Sequence, residues 1–135
     1  MIATIDTNVL ISGTVFRGIP GRIIEASIDH RFTLALSPSI LREYRNVLSR
    51  RKFGFHPDVV EALAQDLEAH SVIVYPKKYH QVVMDDPDDN AIIDCAVEAN
   101  ADFIVSGDAH LTTLGTIEGI SILTPVQFVE IAGLV

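Results

Sequence analysis

Ala101-Asp102-Phe103-Ile104-Val105-Ser106-Gly107-Asp108 is the stretch whose reading decides the fold. Asp102–Val105 reads as a short apolar strand, and Ser106-Gly107-Asp108 ends it. Just upstream, Asp86-Pro87-Asp88-Asp89 opens a helix that runs to about Asn100. Asp86 suits its N-cap, Pro87 its first turn, and the carboxylates complement the helix dipole. Strand and helix alternate outward from there. Ile2–Ile5 is a strand ending at Asp6-Thr7-Asn8; Gly13, Gly18, Pro20 and Gly21 mark a loop, and Pro20 begins a helix to about Asp29. Phe32–Leu36 is the second strand. Ser37-Pro38 caps a helix to about Arg51, which Gly54 and Pro57 break, and another helix spans Pro57–His70. Ser71–Tyr75 is the third strand, residues 76–85 a connection, and Ile120–Leu123 the fifth strand; Thr124-Pro125 caps a last helix to about Ala132. The alternation, without repeats or a linker, predicts one α/β domain over residues 1–135, with helices on both faces of a mainly parallel five-stranded sheet.

Composition narrows the class. Of 135 residues, 48% are apolar, enough for a core and against disorder. The lone cysteine, Cys95, excludes a disulfide framework or a cysteine-based zinc site, and is read as a small packing residue. The chain has no apolar run of membrane-span length and no basic leader before Asp6. A cytoplasmic, globular protein with no membrane partner is the expectation. The formal charge of −8 is unevenly spread: residues 1–52 hold eight basic and four acidic side chains, while residues 53–135 hold only Lys77 and Lys78 against fourteen acids.

Four acidic residues stand where charge patterning does not explain them. Asp6 and Asp108 follow strands, and in an open parallel sheet the carboxyl ends of the strands form the ligand crevice. Either could equally be a local turn or cap residue. Glu43 lies at the edge of the apolar arc of Ile40, Tyr44, Val47 and Leu48, with Arg42 and Arg45 facing solvent. A carboxylate there needs a partner, such as Arg50, or a cation. Asp89 heads the buried stripe of Ile92, Ile93 and Ala96, whereas Asp94, one residue off the stripe, is expected to face solvent. Convergent carboxylates without His or Cys partners select hard cations, Mg2+ or Mn2+, which can activate water and stabilise a phosphoryl displacement.

The four segments together resemble the PIN-domain nucleases. Asp6-Thr7-Asn8-Val9-Leu10-Ile11-Ser12 is similar to their N-terminal motif, and Ser37-Pro38-Ser39-Ile40-Leu41-Arg42-Glu43-Tyr44 to the helix carrying their glutamate. Asp86-Pro87-Asp88-Asp89-Asn90 and Ala101–Asp108 are similar to their two C-terminal acidic motifs, and order and length match over nearly the whole chain. The nearest likeness is to prokaryotic members described as toxins of toxin–antitoxin pairs. The resemblance implies a three-layer α/β/α sandwich. It implies a Mg2+- or Mn2+-dependent endoribonuclease with Asp6, Glu43, Asp89 and Asp108 as catalytic and metal-binding tetrad, supported by Asn8 and Ser106. Among Asp85, Asp86, Asp88 and Asp89, helix phase and the family's spacing to Ile92-Ile93 choose Asp89. It also implies a single-stranded RNA substrate, an antitoxin protein partner and a homodimer. After the fourth Asp, where relatives often carry a charged residue, this chain has Ala109-His110-Leu111; His110 is read as a surface residue, with contact to substrate beside the site as the alternative.

Basic residues suited to RNA phosphates are Arg17 and Arg22 beside the glycine loop, and Arg50, Arg51 and Lys52, which also read as a solvated helix end. Competing readings are a catalytically silent PIN-like module binding RNA or protein, and a phosphoacceptor domain. The second lacks a lysine after a late strand and has Asn8 where a phosphatase has its second Asp. With four acids given to a metal site, the acidic balance predicts weak non-specific RNA affinity and strong metal dependence.

Overall fold

The computed structural model describes residues 1–80 and 87–134. Its strands are β1 (Ile2–Ile5), β2 (Thr33–Leu36), β3 (Ser71–Ile73), β4 (Phe103–Val105), β5 (Thr116–Ile117) and β6 (Ile120–Leu123). Its helices are α1 (Thr7–Val15), α2 (Gly18–Ile28), α3 (Pro38–Leu48), α4 (Pro57–Ala69), α5 (Pro87–Glu98), α6 (Ala109–Thr112) and α7 (Pro125–Ile131), with a 3-10 turn at Arg51–Phe53. The strands form one sheet in the order β3-β2-β1-β4-β6-β5, parallel except for the β5–β6 pair. Consecutive residues Ala3-Thr4-Ile5 and Leu34-Ala35-Leu36 are all buried, so these strands are covered on both faces. Cys95 of α5 contacts the Thr4 hydroxyl at 3.7 Å, placing α5 on one face; Ala3 and Ile5 point to the other. The result is the expected α/β/α sandwich. On it, Phe128 of α7 meets Phe32 and Phe103 edge-on, with ring centroids 5.1 and 6.0 Å apart. Among the described residues, no helix is long and apolar enough to cross a membrane.

The strand order sets the site. From β1 the chain moves outward to β2 and β3, then returns to β4 on the other side of β1. That reversal puts a crevice outside the carboxyl ends of β1 and β4, where helices diverge to opposite sides.

Three expectations need correction. The loop read across Gly13, Gly18, Pro20 and Gly21 is helix α1 and the first turn of α2, which begins at Gly18 and not at Pro20. An alanine Cβ at Gly13 would lie 2.6 Å from Ile24 Cδ1 and 2.8 Å from the Pro20 carbonyl oxygen, so the glycine lets α1 and α2 approach closely. Helix α3 stops at Leu48, before Arg51: the Ser49 N–H and hydroxyl both donate to the Arg45 carbonyl, at 3.1 and 2.7 Å, and Arg50 turns extended. The five expected strands are present, but the sheet gains the two-residue β5, a hairpin arm joined to β6 through Glu118 and Gly119. Both turn residues have positive φ, 46° and 79°, the geometry of a type I′ turn. The N-cap assignment of Asp86 and the alternative ligand Asp85 lie outside the described residues.

Candidate metal centre

Each acidic side chain reaches the crevice by a local rule. The chain leaves β1 at Asp6, whose N–H donates to the Val105 carbonyl at 2.9 Å and locks the turn to β4. The Asp6 carboxylate, buried, caps α1 by accepting the Asn8 N–H at 3.3 Å. It also accepts the Ser106 hydroxyl at 2.7 Å. The fully buried Ser106 Oγ in turn accepts the Asp108 N–H at 3.0 Å. One hydroxyl therefore ties the acids after β1 and β4 into a single unit. Asp108 caps α6 through the His110 N–H at 2.8 Å. For both aspartates the cap and the site are the same geometry, not alternatives.

Thr7 supplies the next link. It is fully buried, and its hydroxyl donates to Glu43 Oε2 at 3.1 Å, drawing the glutamate of α3 to the end of β1. Sequence reasoning missed Thr7; its position between the buried Asp6 and a helix start was the available signal. Asp89, 5% exposed, enters from the first turn of α5. Ligand atoms of Asp89, Asp108 and His110 all lie within 4.8 Å of one another, a spacing that fits one divalent cation. The structure thus brings Asp89 and Asp108 together with His110; Asp6 is tied to Asp108 through Ser106, and Glu43 is held by Thr7, the residue after Asp6.

The supporting residues divide. Ser106 orients Asp6 as expected, whereas Asn8 does so with its backbone N–H. Asn8 also lines a groove of about 470 Å3 that reaches Gly107 and Asp108. Of the basic residues, Arg17 is exposed and paired with Glu25 at 2.8 Å, and Arg22 is exposed. Arg50, Arg51 and Lys52 are exposed beyond the end of α3, which runs back from the crevice edge; Lys52 sits 5.1 Å over the Phe53 ring.

Asp94 corrects an expectation. It is buried, not solvent-facing: it accepts His80 Nδ1–H and the His80 backbone N–H, each at 2.6 Å, and His80 Nε2 reaches Glu118 at 2.8 Å. The Asp94 carboxylate, then that of Glu118, raises the His80 pKa against the opposing effect of burial. This clamp belongs to a different face of α5. Pro87, Ala91 and Asp94 line a cleft of about 510 Å3 with Arg42, Tyr75 and Tyr79, whereas Asp89 lies about 200° around the helix from Pro87.

Residues 3–110 match the family model of the PIN domain. The chain belongs to the PIN-domain family. An uncharacterized protein of Methanocaldococcus jannaschii is 33% identical to it over 114 residues, covering 82% of this chain and 72% of the relative. The PIN domain is a nuclease-type fold, commonly metal-dependent. The matched span ends at His110 and so includes Asp6, Glu43, Asp89 and Asp108.

Proposed function

We propose that this PIN-domain protein is a Mg2+- or Mn2+-dependent endoribonuclease acting on single-stranded RNA. The observation that carries the reading is the pairing of Asp89 with Asp108 at metal-ligand spacing, with Asp6 tied to Asp108 through Ser106 and Glu43 held by Thr7, at the strand-order reversal. These four carboxylates would hold the cation. When bound, such an ion stabilises phosphoryl charge and lowers the pKa of water. The residues themselves supply preorganisation: Ser106 and the α1 cap fix Asp6, Thr7 fixes one Glu43 oxygen, and the α6 cap fixes Asp108. The groove beside Asn8 and Asp108 is the space a phosphodiester would occupy.

Cleavage of single-stranded RNA with Mn2+, with and without EDTA, tests this. Wild type should cut only with metal, and Asp6→Asn and Asp89→Asn should not cut. Equal cleavage by all three proteins would overturn the reading. By its likeness to toxin components, the reading extends to a cytoplasmic toxin paired with an antitoxin protein and to a homodimer. Growth arrest on expression, relieved by the neighbouring reading frame, is the expected result; no arrest removes the toxin role and leaves the nuclease reading standing.

A further inference from the structure

We propose that His110 is a ligand of the metal held at Asp89 and Asp108, and that its nitrogen shifts the site from Mg2+ toward Mn2+ and Co2+. The inference rests on the metal-nuclease reading and adds a donor outside the four carboxylates. Its geometry follows from the Asp108 cap. Because the His110 N–H is bound to Asp108 Oδ1 at 2.8 Å, the first turn of α6 carries the ring back over that carboxylate. Nδ1 stands 3.7 Å from the same oxygen, too long for a hydrogen bond, so that contact does not fix the ring. The side chain is 72% exposed, so little packing opposes its adjustment. Its ligand atom already lies within 4.8 Å of those of Asp89 and Asp108. Three donors sharing one ion at roughly 2.1 Å stand about 3–3.6 Å apart, so the ring closes by at most about 1–2 Å.

The chemistry follows from the donor. Carboxylate oxygens alone suit Mg2+, which dehydrates reluctantly and takes few protein ligands. Imidazole suits later divalent metals, and affinity for a mixed nitrogen–oxygen site rises from Mn2+ to Co2+. Oxygen from Asp89 and Asp108 with nitrogen from His110 is such a site.

The test uses the full chain freed of metal. Calorimetry with Mg2+, Mn2+ and Co2+ gives the affinities, and pulsed paramagnetic resonance of bound Mn2+ detects directly coordinated nitrogen. Wild type should show a nitrogen coupling that His110→Ala removes. The same change should weaken Mn2+ and Co2+ by about tenfold or more, the loss seen even when an indirect partner of a ligand is removed, and should leave Mg2+ nearly unchanged. His110→Asp restores an oxygen donor and should raise Mg2+ affinity relative to Co2+; His110→Asn replaces His110→Ala if the alanine variant folds poorly. Mn2+ bound without nitrogen coupling, or a coupling that survives His110→Ala, overturns the assignment of His110 and leaves the carboxylate centre standing. A wild-type chain that binds no Mn2+ overturns the assignment together with the metal reading beneath it.

Discussion

Asp94→Asn is expected to destabilise the protein by about 2 kcal/mol near pH 6, and by less near pH 9. His80 fastens the connection after β3 to α5 and to the β5–β6 turn, with side-chain exposures of 17% for His80, 9% for Asp94 and 52% for Glu118. The bond to Asp94 is short and shielded, and a hydrogen bond to a charged partner is worth about 1.5–3 kcal/mol. The bond to the half-exposed Glu118 is screened by water, so Glu118→Gln should cost less than about 1 kcal/mol. Because the folded state raises the His80 pKa, its charge-dependent stabilisation is complete below the ordinary value of 6.5. That part fades as pH rises through the raised value. The backbone N–H of His80 bonds to Asp94 at any of these pH values, so some of the Asp94→Asn cost persists. Urea unfolding followed by circular dichroism at about pH 6 and about pH 9 measures all of this. A cost for Asp94→Asn that is no larger at the lower pH, or one smaller than that of Glu118→Gln, would refute the reasoning.

Three further outcomes are expected. Ser106→Ala removes the hydroxyl between Asp6 and the Asp108 N–H; it should cost about 1–3 kcal/mol in urea unfolding and lower Mn2+ affinity about ten- to a hundredfold by calorimetry. Gly13→Ala gains about 1 kcal/mol of helix propensity, but drives a methyl to 2.8 Å from the Pro20 backbone oxygen; overpacking of about 1–3 kcal/mol should win, lowering the urea midpoint. Burial pushes the Cys95 thiol up to about 11, so iodoacetamide at neutral pH should label it only after unfolding.

Much of this was legible because it is written locally. Ser37-Pro38 and Thr124-Pro125 cap helices as read, Ser37 accepting the Ile40 N–H and Thr124 forming a capping box with Gln127. Asp6, Asp89 and Asp108 were visible because strand ends and a helix start dictate where their side chains go. The failures have equally definite causes. Gly13 punctuates a sequence, but here it serves helix–helix approach, and only the fold shows Ile24 and Pro20 against it. Glu118-Gly119 could have signalled the hairpin, but an arm of two residues carries almost no pattern. Asp94 was misread because its partner His80 arrives from a connection whose course no local rule predicts. The hydroxyl of Thr7 carries no charge, so its hold on Glu43 left no trace in the acidic pattern.

The central claim is that acids from four separate segments form one metal centre. Anomalous diffraction from a crystal of the full chain soaked in Mn2+ tests it most directly. The expected result is a peak within bonding distance of Asp89 and Asp108, in the crevice shared with Asp6 and Glu43, that disappears in Asp89→Asn crystals. A fully soaked crystal with no peak in that crevice, or one whose Mn2+ sits only elsewhere on the surface, would contradict it.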